Sequence, residues 1–149
     1  MPDYVARNAR ELARMRAIVE RLSADELRGQ VNDSWTVAGV LGHIAFWDGR
    51  ALALAGKLVR GVPYTSSDDE PEDVDWINDA SRPLIHAIPP AEAAALALGI
   101  SAETDALMAS LPPELVARSW PADPTSPLNA LRADHRAEHL DEIEASLQG

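Results

Sequence analysis

Two histidines in the last quarter of the sequence are placed so that they could bind one metal ion. His135 and His139 are four residues apart, so on an α-helix they share one face with their Cβ atoms about 5–6 Å apart. They lie in an apolar helical stripe from Leu128 to Leu147, at positions where apolar residues would otherwise face the core. Buried imidazoles need partners, and a shared cation would satisfy both rings.

His43 is the third candidate ligand, because it stands one turn after Val40 and one turn before Trp47 on a separate helical pattern. Neutral imidazoles suit Zn²⁺, Ni²⁺, Fe²⁺ or Co²⁺, of which Zn²⁺ or Ni²⁺ is expected. The chain has no cysteine, so three histidines would leave a coordination position open for water or substrate, as in catalytic sites. Such an ion lowers the pKa of bound water or holds an external thiolate. The alternative is that the histidines only form hydrogen bonds.

Other polar and aromatic residues near these histidines could contribute to the site. Trp47 is predicted to contact substrate above the ion, whereas large aromatic side chains generally belong to the core. Carboxylates at Asp48, Glu138 and Glu142 could orient the imidazoles, although solvated positions on helix surfaces are favoured for them in so acidic a chain. The three nearby arginines are expected to pair with acids on the helix surface; the alternative is that they anchor a carboxylate-bearing cosubstrate. They are Arg50, Arg132 and Arg136.

The elements that must position these side chains are helices, because apolar residues recur at helical spacing and no segment alternates at period two. Four principal helices predict an all-α four-helix bundle, with the loop Gly61–Asp73 crossing one end. Its part Tyr64–Asp73 could serve as a lid or be merely mobile. Pro83 is expected to bend or restart a helix, and Ser126 with Pro127 is expected to begin the last one. The predicted helical segments are Asp3–Leu22, Ala24–Leu27, a helix from Ser34–Thr36 to Gly61, Val74–Ile88, a helix between Pro89–Pro90 and Pro112–Pro113, Glu114–Arg118, and the last helix to Gly149.

Length and charge limit the classes of protein that the chain can represent. Its 149 residues predict a single domain, 1–149. The formal net charge of −11 disfavours nucleic acids and anionic membranes as partners. The first residues lack the apolar segment of a signal peptide, and the apolar run from Val37 to Val59 carries charges that disfavour a membrane span. A cytoplasmic protein acting on a small molecule is expected.

Two segments resemble the signature of the DinB-like superfamily. One is SWTVAGVLGHIAFWD, from Ser34 to Asp48, in which a histidine falls eight residues after a tryptophan. The other is DHRAEHLDEI, from Asp134 to Ile143, which is similar to the H-x-x-x-H motif of the family's last helix. The resemblance implies an up-down-down-up four-helix bundle, a homodimer, and metal ligands at His43, His135 and His139.

The superfamily includes S-transferases that use bacillithiol or mycothiol and mycothiol-dependent maleylpyruvate isomerases. The isomerases commonly have glutamate where this chain has His135, a departure that disfavours the isomerase assignment. The hypothesis is therefore a metal-dependent enzyme that activates a low-molecular-weight thiol as cosubstrate and transfers it to an electrophile. The alternatives are a metal-dependent hydrolase and a non-enzymatic stress protein that binds a metal or a small ligand.

Overall fold

The computed structural model describes residues 2–64 and 71–148, with residues 71–73 as backbone only. These residues form seven α-helices and two isolated β-bridges, without a β-strand, which confirms the all-α prediction. The helices are α1 (Asp3–Arg21), α2 (Ala24–Arg28), α3 (Val37–Val59), α4 (Pro71–His86), α5 (Pro90–Ala109), α6 (Pro113–Ala117) and α7 (Ala133–Gln148).

Four long helices, α1, α3, α5 and α7, form the bundle. The most extensive contact is between α3 and α5, and α1 and α7 also pack on each other. Two apolar clusters show the directions of these helices. In one cluster, the second halves of α1 and α7 pack against the first halves of α3 and α5. The other cluster contains the opposite halves of α1, α3 and α5 and the start of α7. Helices α1 and α7 therefore run opposite to α3 and α5, which is the up-down-down-up arrangement.

The short helices and the caps follow from local sequence. Ser23 and Glu26 form a capping box at the start of α2, each side chain bonded to the other residue's backbone N–H. Thr36 caps α3 by accepting a hydrogen bond from the backbone N–H of Gly39 at 2.9 Å. After α3, Gly61 has a φ of +77°, a conformation that glycine adopts readily and that ends the helix as predicted.

The connection between α3 and α5 differs in part from the prediction. The α4 helix starts at Pro71 and continues through Pro83 to His86, so the helix does not restart at Pro83. Proline has no N–H to donate to the helical ladder, but the backbone N–H of Ala87 still bonds to the Pro83 carbonyl at 3.2 Å. Residues 65–70 of the expected lid or crossover loop lie outside the described residues.

The last helix begins later than predicted. Ser126 and Pro127 do not start it, because residues 128–132 are non-helical and α7 starts at Ala133. The backbone N–H of Trp120 bonds to the carbonyl of Leu128 at 2.8 Å, and that of Ala130 bonds to the carbonyl of Trp120 at 3.0 Å. These bonds hold the segment in an extended conformation, so only the part of the stripe from His135 onwards is helical.

In the described residues, no helix combines the length and the apolar character that crossing a membrane requires.

Candidate metal centre

The three predicted ligands come from two helices of the bundle. His43 lies on α3, and His135 and His139 lie one turn apart on α7. The Nε2 atom of His43 is 3.1 Å from Nε2 of His139 and 3.3 Å from Nε2 of His135. Nitrogen ligands about 2.0–2.1 Å from a tetrahedral Zn²⁺ lie about 3.3–3.4 Å from one another. His43 Nε2 is therefore about as far from each of the other two nitrogens as the ligands of one ion are from each other, and all three ligand atoms lie within 4.8 Å of one another.

The protonation of these rings also suits a metal ligand. Burial lowers the pKa of His43 to about 4, with a further contribution from the neighbouring His139. Burial likewise lowers the pKa of His135 well below its usual value, and His139 and Arg132 add to this effect. Because the ligand form of histidine is the neutral imidazole, His43 and His135 are ready to coordinate at neutral pH.

The second nitrogen of each ring has a different environment. The Nδ1 atom of His139 is 3.2 Å from Oε2 of Glu142, so this carboxylate can hold the ring as the tautomer that leaves Nε2 free to coordinate. Among the described residues, Nδ1 of His43 and Nδ1 of His135 are buried without a hydrogen-bond partner. The side chain of His43 instead packs against the ring of Trp35, with the ring centroids 5.3 Å apart.

A buried ion-pair network sets the register between the two ligand-bearing helices. Asp48 of α3 is fully buried, and its Oδ1 accepts from Nε of Arg132 and its Oδ2 from Nε of Arg136, both at 2.8 Å. Ser101 Oγ of α5 also donates to Asp48 Oδ2, at 2.7 Å. Since Asp48 lies five residues after His43 on one helix, these bonds fix His43 relative to α7.

This network corrects the interpretation of the charged residues near the histidines as solvated surface groups. Asp48, Arg132 and Arg136 are all buried, because each charge is paired inside the bundle. Glu138 is exposed, as predicted, whereas Glu142 is partly exposed and contacts Nδ1 of His139, as in the alternative role of orienting an imidazole. A single sequence gave no signal for the buried network, since its partners come from helices far apart in the chain.

Asn8 of α1 fixes the start of α7, and the sequence patterns gave no reason to select it. Its side chain is fully buried. Its Oδ1 accepts hydrogen bonds from the backbone N–H groups of Arg132 and Ala133, at 2.8 and 2.9 Å, and its Nδ2 donates to the carbonyl of Ala130 at 2.9 Å. Asn8 therefore caps α7 from another helix and sets where His135 falls.

The three histidines open into a cavity of about 450 Å³, a size typical of small-molecule sites. Trp47 lies in its wall, and the indole Nε1 donates to Oδ1 of Asn78 on α4 at 2.8 Å. Asn78 is thus a wall residue that the sequence patterns did not indicate. The remaining lining residues are Trp35, Val40, Val74, Asn129, Arg132, Glu138 and Glu142.

Other ring-bearing residues lie outside the histidine cluster. His86 is not part of it; this side chain is exposed and packs edge-on against Trp35. Trp76, expected in the core, is 71% exposed, and Phe46 is 37% exposed. Their positions on α4 and α3 face outwards in this chain, so the general preference of large aromatic side chains for the core does not apply to them.

Comparison with known proteins identifies the family. No curated protein and no solved structure matches the chain. The family model of the DinB superfamily matches residues 7–143, a range that contains all four long helices in large part and the three clustered histidines. The chain therefore belongs to the DinB superfamily.

Proposed function

We propose that the protein is a metal-dependent enzyme that activates a low-molecular-weight thiol for transfer to an electrophilic small molecule. His43, His135 and His139 hold a divalent ion, with Zn²⁺ or Ni²⁺ expected, and Trp47 contacts the substrate. The observation that carries the proposal is the convergence of three Nε2 atoms, with the contacts 3.1 and 3.3 Å long, at the wall of an open cavity.

The donor set supports a catalytic rather than a structural role for the ion. His43, His135 and His139 are the one group of metal-binding side chains that comes together within the described residues, and each offers a single ligand atom. When bound, the ion supplies a Lewis acid that can hold a thiolate at neutral pH. Three protein ligands leave at least one position of a tetrahedral shell for that thiolate.

The chain's own residues shape the rest of the reaction site. The rings of Trp35 and Trp47 and the side chains of Val40 and Val74 give the cavity apolar walls that can hold an electrophile and limit the access of water. Glu138 lies in the same wall with its carboxylate available to accept the proton that the thiol loses. The Trp47–Asn78 hydrogen bond holds the indole in a fixed orientation.

Metal analysis of the purified protein is the first test. We expect about one equivalent of bound metal per chain in the wild type and a loss of at least 90% in His43→Ala. The matched control is His86→Ala, which removes an imidazole outside the cluster and should leave the metal content unchanged. Equal metal content in the wild type and His43→Ala would reject the site.

Turnover assays then separate the enzyme from a sequestering protein. Bacillithiol or mycothiol is supplied with monochlorobimane, with and without a chelator, to wild type and to His43→Ala. Conjugation that disappears with the chelator and in the variant supports the proposal. Conjugation that persists after complete metal removal contradicts it. Metal binding without any thiol turnover favours the hydrolase, tested with ester and amide substrates, or the binding protein.

A further inference from the structure

Arg132 and Arg136 are two buried arginines one helical turn apart. They differ in how many of their guanidinium N–H groups form hydrogen bonds within the protein. Arg136 is fully buried, and each of its three nitrogens has an acceptor, which gives five hydrogen bonds for the five N–H groups of a guanidinium. Ion pairs of this kind keep the pKa of Arg136 above its usual value, although burial alone would lower it. The acceptors are Asp48 Oδ2, Asp105 Oδ1 and Oδ2, and the carbonyls of Asn8 and Ser101.

Arg132 uses only one of its five donors inside the protein. Its Nε donates to Asp48 Oδ1 at 2.8 Å, and no described residue accepts a hydrogen bond from either Nη atom. The side chain is only 8% exposed, yet it lines the cavity that contains the three histidines. The buried side-chain atoms without a partner among the described residues are two histidine Nδ1 atoms. The Nη atoms of Arg132, which also have no partner, are therefore not fully buried, and the cavity that Arg132 lines is where a ligand can reach them.

We propose that Arg132 is the anion-binding residue of a carboxylate subsite beside the metal centre. The ligand that occupies the cavity then carries a carboxylate together with its metal-binding group. The part concerning the thiol rests on the proposed function, whereas carboxylate binding by Arg132 does not require the metal.

The surroundings of Arg132 favour a carboxylate. A guanidinium whose Nε is held by Asp48 presents its two Nη atoms as a fixed pair of donors, a geometry that matches the two oxygens of a carboxylate. Asn129 lines the same cavity. Its Oδ1 already accepts from the backbone N–H of Leu131 at 3.0 Å, which leaves Nδ2 to donate to a ligand.

Other charges in the cavity argue against a more highly charged anion. Glu138 and Glu142 both line it, so a phosphate dianion would meet two carboxylates in return for one guanidinium. A singly charged carboxylate suffers half of that repulsion and still satisfies the donors of Arg132. The subsite is therefore specific for a monoanion at the side of the cavity where α7 begins.

The test compares two thiols, one of which carries a carboxylate where the other carries a hydroxyl group. Protein loaded with Co²⁺ is titrated with 3-mercaptopropionate and with 3-mercapto-1-propanol, and binding is followed by the thiolate-to-cobalt absorption band. We expect the Kd of the carboxylate thiol to be about tenfold to a hundredfold lower, as for a hydrogen-bonded charge pair in a partly dry site. In Arg132→Gln the preference, taken as the ratio of the two Kd values within that variant, should fall to less than about threefold. The ratio is the readout because loss of the Asp48 ion pair can change both Kd values together.

Arg132→Lys is the second variant, because it retains a positive charge for Asp48 if the glutamine variant does not fold. Lysine lacks the paired Nη donors, so the preference for 3-mercaptopropionate should still drop about tenfold or more. Equal Kd values for both thiols in the wild type overturn the carboxylate subsite and leave the proposed function standing. An unchanged preference in a folded Arg132 variant also overturns the subsite.

Failure of the proposed function gives a different result. If neither thiol produces the cobalt band, thiol activation at the metal is rejected, and the subsite is judged on metal-free protein. There the guanidinium NMR signal of Arg132 should shift with propionate and not with propionamide, while that of Arg136, whose donors are all engaged, stays in place. No shift of the Arg132 signal with propionate rejects the subsite.

Discussion

At the scale of single residues, the three clustered histidines differ in what supports their second nitrogen. Glu142 is 3.2 Å from Nδ1 of His139, whereas His43 and His135 have no such partner among the described residues. A carboxylate on the far side of a ligand ring orients the ring and makes it a stronger donor. Glu142 should therefore strengthen metal binding through His139 alone.

Replacing Glu142 with glutamine should weaken metal binding without removing it. Outer partners of this kind contribute about 10–100-fold in affinity when they are well enclosed. Glu142 is 39% exposed, so we expect a Kd for Zn²⁺ about three- to tenfold higher, measured by competition with a chromogenic chelator. Glu138→Gln is the control, since it removes a charge from the same cavity wall without a contact to a ligand ring. Equal affinities in both variants would contradict the role of Glu142.

The residues of the site were predictable only where local spacing marks them. His135 and His139 are one turn apart, and His43 and Trp47 are one turn apart, so each pair could be assigned from the sequence. Asp48 could not, because its burial depends on Arg132 and Arg136, which are 84 and 88 residues further along the chain. One sequence carries no information on which distant charges will meet.

At the scale of the helices, close packing of α4 on α3 forms the cavity wall that contains Asn78. A Cβ atom added at Gly42 of α3 would lie 2.5 Å from Cγ2 of Ile85 on α4. Ile85 is buried and branched at Cβ, so it has little freedom to move aside. The absence of a side chain at Gly42 therefore sets the distance between the two helices.

We predict opposite effects of alanine at two helical glycines. Gly42→Ala should lower the free energy of unfolding by about 1–2 kcal/mol, because the cost of overpacking exceeds the gain in helix propensity. Gly99→Ala on α5 should raise it by up to about 1 kcal/mol, since nothing lies within 4 Å of the added Cβ. Urea denaturation measures both values. A stabilising Gly42→Ala would show that α4 does not pack closely at this position.

The start of α7 provides the second prediction at this scale. In Asn8→Ala, the backbone N–H groups of Arg132 and Ala133 lose their acceptor in a buried setting, so we expect a loss of about 2–3 kcal/mol in the free energy of unfolding. Ser23→Ala removes a cap on the exposed capping box of α2 and should cost about 1 kcal/mol or less. Equal losses in the two variants would mean that Asn8 is an ordinary cap.

The helices themselves were more predictable from the sequence than the residues at which they begin and end. The helical spacing of apolar residues that predicts α1 and α3 is a local signal, and the structure confirms both helices. The start of α7 is decided by Asn8, more than 120 residues earlier, and by the pairing of Trp120 with the segment after Pro127. The sequence signals at Ser126 and Pro127 are real helix-start signals, and these tertiary bonds override them.

At the scale of the whole molecule, the buried neutral histidines make the stability of the metal-free protein depend on pH. His43 has a pKa of about 4 in the folded protein and about 6.5 in the unfolded chain. Between these values the unfolded chain binds a proton that the folded protein does not. The free energy of unfolding must therefore fall as the pH is lowered from about 6.5 towards 4, and His135 acts in the same direction.

Denaturation of metal-free protein at several pH values measures this dependence. Each histidine contributes at most about 1.4 kcal/mol per pH unit in this range. In His43→Ala the decline should be shallower, because one of the two contributing groups is absent. A decline of the same steepness in wild type and variant would assign the acid sensitivity to the carboxylates instead. Above about pH 7.5, one unit above the pKa of histidine in the unfolded chain, the histidine contribution should be nearly constant.

The ligands of the proposed metal centre are separated by 92 and 96 residues in the chain, with the closure made by tertiary packing alone. An unfolded chain thus presents three scattered imidazoles, and strong uptake of an ion requires the native arrangement of α3 and α7. Metal uptake accordingly measures the folded fraction of any sample as well as the quality of its ligands. A substitution far from the histidines that loosens the bundle will also lower the metal content. The melting temperature of that variant, measured in the presence of a chelator, will then fall below that of the wild type, which distinguishes loosening of the bundle from lost coordination.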